Sequence, residues 1–112
     1  MARAARMTAP NMSLTVSGEQ ATLLLTGEHE AYSAEKLARS LQALIDEGMP
    51  VVVDLRQTAF VDSTVVGVLL AASRRARERG LRVSLLLGER TGWPVRRIFD
   101  VTGLRDEIDV SG

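Results

Sequence analysis

An α/β domain, with a mixed sheet opened by a β-hairpin, helices packed against it and a parallel strand-helix-strand unit, is predicted by three observations. The first is a β-prone run over residues 13–27, broken once at Ser17-Gly18-Glu19. The second is Val51-Val52-Val53-Asp54-Leu55, a β-branched run without polar alternation. The third is a helical pattern over residues 63–79 followed by a second apolar run over 82–88. A strand, helix and strand at this spacing form a right-handed parallel crossover.

Residues 1–12 carry Arg3 and Arg6 but no apolar core of seven or more residues, which excludes a signal peptide and a membrane span. They read as a disordered tail, and residues 13–112 as one domain. In the opening hairpin Leu14 and Val16 alternate with polar neighbours, and Gly18 marks the turn. After a loop over residues 28–32, Ser33 is placed to cap a helix. The apolar positions Ala34, Leu37, Ala38, Leu41, Leu44 and Ile45 follow the three-and-four spacing of one buried face. Gly48 and Pro50 stop it.

Val51 to Leu55 then reads as a central strand covered on both faces. Residues 56–61 lead from it into the helix over 63–79, apolar as far as Ala72 and polar beyond. Arg74, Arg75, Arg77 and Arg79 oppose the negative end of the helix dipole in a solvated last turn, and Gly80 supplies the stop. Pro94 suits the first turn of a short helix with Val95, Ile98 and Phe99 on one face and Gly103 at its end. Residues 107–110 form either an edge strand or a frayed end.

Composition narrows the functional classes. With 46% hydrophobic residues in 112, the chain can bury a core without disulfides or metal. Its only aromatics are Tyr32, Phe60, Trp93 and Phe99, so that core must be aliphatic. Fourteen basic and fourteen acidic side chains cancel, and four aromatics are too few to build stacking platforms for single strands, which argues against nucleic acid as a partner. The apolar stretch 65–72 is too short for a bilayer. The absence of cysteine fits a cytoplasmic location. No cofactor is expected.

The most informative residues are Asp62, Ser63 and Thr64, which interrupt an otherwise apolar segment at a helix start. Capping accounts for one of them. Three polar side chains in a row, in the loop leaving a central parallel strand, point also to contact with another molecule. A phosphoryl group on Ser63 would add close to two negative charges beside a helix N-terminus, which favours an anion. The site suits a switch that alters binding rather than shape.

Val51 to Glu89, followed by Pro94-Val95-Arg96-Arg97-Ile98-Phe99-Asp100-Val101-Thr102-Gly103-Leu104, resembles the STAS domain of bacterial anti-sigma factor antagonists. In that family a strand, an Asp-Ser-(Ser/Thr)-Gly-hydrophobic-Gly turn and an apolar helix occur in this order, and the likeness extends over about residues 13–110. The resemblance implies a STAS-like mixed sheet backed by helices, no catalysis of its own, and partner switching. It implies binding, in the unphosphorylated state, to an anti-sigma factor that is also a serine kinase. Phosphorylation by that kinase switches the protein off, and a metal-dependent serine phosphatase restores it.

On this pattern Ser63 matches the phosphoacceptor, Thr64 the neighbouring hydroxyl and Asp62 the preceding acid. Gly27, Glu28 and Glu30 match the family's Gly-Glu-hydrophobic-Asp loop, and Asp62, Thr64, Val65 and Val66 complete the expected partner-binding face. The chain departs from the pattern at Glu30, which stands in place of Asp, and at Val65, which stands in place of Gly. A β-branched side chain at position 65 would hold an approaching backbone off.

Other readings compete less well. Asp54, at the end of a strand, resembles the phosphoacceptor of receiver domains, but no acidic pair accompanies it and the single lysine, Lys36, lies on an early helix. A serine hydrolase built on Ser63 and His29 lacks Gly-x-Ser-x-Gly and an acid to orient the imidazole. Glu28, His29 and Glu30 are adjacent in sequence and cannot close around one metal ion, so a solvated loop is expected there. Trp93 is either a lid on the core or an exposed anchor for a partner. A non-switching STAS scaffold or ligand-binding module, in which Ser63 only caps a helix, is the competing class. The oligomeric state is open, a homodimer included.

Overall fold

The computed structural model describes residues 8–9 and 11–112. Its elements are β1 (Thr8–Ala9), β2 (Met12–Ser17), β3 (Gln20–His29), α1 (Ala31–Asp46), β4 (Val51–Val61), α2 (Ser63–Glu78), β5 (Val83–Leu86), α3 (Trp93–Thr102) and β6 (Asp109–Ser111). A 3-10 turn over Leu104–Asp106 joins α3 to β6. The six strands form one sheet in chain order, antiparallel from β1 to β3 and parallel from β3 to β6. The mixed sheet, the opening hairpin and the parallel unit match the fold class expected from the sequence.

The hairpin β2–β3 turns at Gly18-Glu19, with Ser17 opposite Gln20. Alternation then fixes its inner face: Ala21, Leu23 and Leu25 are fully buried, while Thr22, Leu24 and Thr26 are half-buried. On α1, Ala34, Leu37, Leu41, Leu44 and Ile45 form the buried stripe, and α2 contributes Val65, Val66, Leu69, Ala72 and Ala76. The two helices pack against each other. Arg75 and Arg79 near the end of α2 reach Asp46 of α1, at 2.7 and 3.3 Å. These pairs are half-exposed and add little beyond orientation.

Several elements differ from expectation, each for a local reason. The tail expected over residues 1–12 lies partly outside the described residues; where it is described it is ordered, with Thr8 and Ala9 paired to Ser13 and Met12. Met12 is only 5% exposed and belongs to the core. Helix α1 begins two residues before Ser33, which occupies its third position. There the Ser33 hydroxyl accepts the Glu30 N–H at 3.1 Å, so it caps the helix from within its first turn.

Strand β4 does not stop at Leu55 but runs on to Val61. Two bulges against β3 hid this continuation, one beside Leu55-Arg56 and one at Ala59, where β4 carries an extra residue relative to its partner. A bulge places Arg56 and Gln57 on the surface in succession and breaks the period-two pattern. The second face of the first part of β4 is only partly covered, with Asp54 buried there. Val51, Val53 and Leu55 are buried, but Val52 is half-buried between Thr22 and Ser84. Residues 109–111 settle as a parallel edge strand on β5. Among the described residues no helix is long and apolar enough to cross a membrane.

Candidate functional site

Strands β3, β4 and β5 run parallel, so the helices that follow them all begin at one edge of the sheet. At the centre of that edge is the β4–α2 junction. Asp62 is the N-cap of α2: its backbone is extended, and its Oδ1 accepts the Val65 N–H at 3.0 Å. The Val66 N–H donates to the Asp62 carbonyl at 3.2 Å, which closes the first helical turn. Ser63 and Thr64, the first two helical residues, are both exposed. The Ser63 hydroxyl is therefore open to solvent beside amides with no partner inside the helix.

The residues expected to share a contact face separate into two groups. Glu28 and Glu30 are exposed, and the Asp62 N–H donates to the His29 carbonyl at 3.2 Å, so the end of β3 lies directly beside the start of α2. Gly27 is half-buried in β3, with φ of 76° and the Asn11 side chain 3.6 Å from where a Cβ would stand. Val65 and Val66 do not belong to the face. Both are in the core, 0% and 4% exposed, because α2 turns them toward the sheet. Val65 thus presents no side chain to an approaching partner.

His29 is not in a solvated loop either. It is the last residue of β3, 1% exposed, and its ring ties three segments together. Nε2 lies 3.1 Å from the carbonyl oxygens of both Asn11 and Thr26, and Nδ1 lies 3.1 Å from Ser33 Oγ. Two carbonyls can only accept, so Nε2 carries a proton. With its ring held by backbone and its carbonyl held by Asp62, His29 fixes the position of the Glu28–Glu30 segment relative to Ser63. Its place between two glutamates in sequence concealed this burial. Among the described residues no group of three or more His, Cys, Asp or Glu is placed to hold a metal ion.

Asp54 serves the strand. Its side chain is 7% exposed, and it binds the guanidinium of Arg56, with Nη2 to Oδ2 at 2.8 Å and Nε to Oδ1 at 3.1 Å, and accepts the Arg56 N–H at 3.0 Å. The Arg56 side-chain hydrogen bond holds the Asp54 carboxyl below the usual carboxylate range, against burial, which pushes it up. A carboxylate so engaged belongs to the bulge of β4. Trp93 opens α3 and is 68% exposed, so it is not a lid.

A family model described as "Mlab, STAS domain" matches residues 12–110. The anti-sigma-B factor antagonist of Bacillus subtilis (strain 168) is 32% identical over 87 residues, which cover 78% of this chain and 77% of that protein. The anti-sigma-B factor antagonist of Listeria monocytogenes is 32% identical over 90 residues, covering 79% of this chain and 75% of that protein. Among solved structures, the unphosphorylated form of the anti-sigma factor antagonist SpoIIAA superposes with a TM-score of 0.71 at 20% identity, covering 90% of this chain and 87% of that one. The phosphorylated form of SpoIIAA from Bacillus gives 0.69 at 22% identity, with 90% and 91% covered.

Proposed function

The chain belongs to the STAS domain family, and from that membership we propose that it is an anti-sigma factor antagonist: a binding protein, not an enzyme, controlled by phosphorylation of Ser63. In the unmodified state it captures an anti-sigma factor serine kinase; esterifying Ser63 releases that partner, and a metal-dependent serine phosphatase resets the cycle. The single observation that carries this reading is the exposed Ser63 hydroxyl at the first position of α2, beside an N-cap already filled by Asp62.

The physics of the switch follows from that position. Because the Asp62 carboxylate already holds the Val65 N–H, Ser63 is not needed as a cap, and the helix survives modification of its hydroxyl. A phosphoryl group there adds close to two negative charges at the positive end of the helix dipole, where the fold tolerates them. A carboxylate of a docked partner about 5 Å away would be repelled by about 6 kcal/mol at an effective dielectric of 20, and by less with salt. A third of that repulsion weakens binding more than tenfold.

The experiment is to mix the protein with the purified anti-sigma-B factor of Bacillus subtilis and Mg-ATP, locate any added phosphate by mass spectrometry, and measure capture by wild type and Ser63→Asp. Phosphate on Ser63 and at least tenfold weaker capture by Ser63→Asp are expected. Equal capture by the two proteins, with no phosphate on Ser63, would leave a non-switching scaffold as the reading.

A further inference from the structure

Tyr32 and Trp93 stand out among the described residues as aromatic rings turned to solvent, at 80% and 68% exposure. Tyr32 is the second residue of α1 and Trp93 the first of α3, so both lie at the sheet edge where α2 begins with Ser63. Backbone bonds hold them there. The His29 carbonyl, three residues before Tyr32, accepts the Asp62 N–H at 3.2 Å, and the Gly92 N–H, one residue before Trp93, donates to the Thr58 carbonyl at 2.8 Å. With at most about 3.6 Å of chain per residue, the backbone of Tyr32 lies within about 20 Å of Ser63 and that of Trp93 within about 30 Å.

A cation rides on each ring. Lys36 Nζ lies 5.3 Å from the centre of Tyr32, and the Arg97 guanidinium carbon lies 5.5 Å from Trp93. Neither Lys36 nor Arg97 has a carboxylate within ion-pair distance among the described residues. A large ring left in water gains nothing for the fold. The same ring at the centre of a protein interface is among the strongest anchors known.

We propose that Tyr32 and Trp93 are the two aromatic anchors of the partner-docking face, flanking Ser63, and that the partner is a protein surface with two apolar clefts rimmed by carboxylates that meet Lys36 and Arg97. The inference rests on the proposed function for the partner's identity and adds the residues that hold it. One side of an ordinary interface covers about 800 Å² and is on the order of 30 Å across, the same scale as these upper bounds. A phosphoryl group on Ser63 then enters between the anchors, where water is excluded and repulsion is least screened.

The test measures binding of the Bacillus subtilis anti-sigma-B factor to wild type, Ser63→Asp, Tyr32→Ala, Trp93→Ala and Val101→Ala, with the thermal unfolding of each. Val101, also 68% exposed but near the far end of α3, is the control. Each aromatic variant is expected to bind at least tenfold more weakly with an unchanged melting temperature, and Val101→Ala to bind as wild type. Lys36→Glu combined with Arg97→Glu is expected to slow association most at low salt. If Ser63→Asp weakens binding while both aromatic variants bind normally, the anchors are refuted and the switch stands. If wild type fails to bind the probe, both ideas fall.

Discussion

Asp62 separates capping from docking, because its carboxylate is committed to the Val65 N–H at 3.0 Å. Asp62→Ala removes the acceptor while leaving the backbone free to stay helical, and the Val65 amide beneath a fully buried side chain has no other partner inside the helix. Loss of such a cap costs about 1 kcal/mol. For 112 residues the unfolding entropy is about 0.24 kcal/mol/K, so the melting temperature should fall by about 4 °C. Asp62→Asn keeps an acceptor oxygen in place and should stay within about 1 °C of wild type. Circular dichroism melts of the three proteins provide the measurement. Equal losses for Ala and Asn, or none for either, would refute capping as the role of this side chain and move Asp62 to the contact face.

Gly92 lies so close to the Ala59 bulge that an added Cβ would stand 2.7 Å from the Ala59 carbonyl carbon and 2.8 Å from its Cα. Gly92→Ala should therefore cost about 1–3 kcal/mol, or roughly 4–12 °C in the same melts, whereas a neutral result would mean that α3 is not docked on β4. Asp54 predicts a pH dependence: its folded pKa lies below the unfolded value of about 3.8, so the folded state holds fewer protons in that window. Its stabilisation is complete above about pH 5 and is lost as pH falls through the unfolded and then the folded value. Urea midpoints taken downward from pH 5 should drop more steeply for wild type than for Asp54→Asn, and parallel curves would sink the assignment.

The sequence made the periodic parts of the fold legible. The stripe of α1, the reach of α2 from Ser63, the Pro94 start and Gly103 stop of α3 and the hairpin at Gly18 all rest on local patterns that tertiary contacts did not override. What stayed hidden was non-local. The second half of β4 is made by bulges against β3, and bulges erase alternation. His29 is buried by carbonyls eighteen and three residues away, Asn11 and Thr26, with nothing in its own neighbourhood to announce it. At the site, Asp62 and Ser63 were readable as the helix start with either able to cap, and the structure gives the cap to Asp62. The inward turn of Val65 and Val66 was not readable, because in an otherwise apolar run only the helix phase decides which residues face out.

That phase removes the main obstacle the sequence raised. Valine at position 65, where the family pattern has glycine, matters for docking only if its side chain faces outward, and it is 0% exposed. The outer strip of α2 instead runs through Ser63, Thr64, Gly67 and Ala71, all exposed, and beyond the helix's own adjacent backbone nothing lies within 4 Å of a Cβ built on Gly67. A glycine inside a helix costs about 1 kcal/mol relative to alanine, and neither crowding nor a positive φ requires one at this position. The open space for close backbone approach therefore sits one turn beyond Ser63 and Thr64, at Gly67. The change at Val65 is a change in core packing and leaves the outer surface of α2 beside Ser63 free of its side chain.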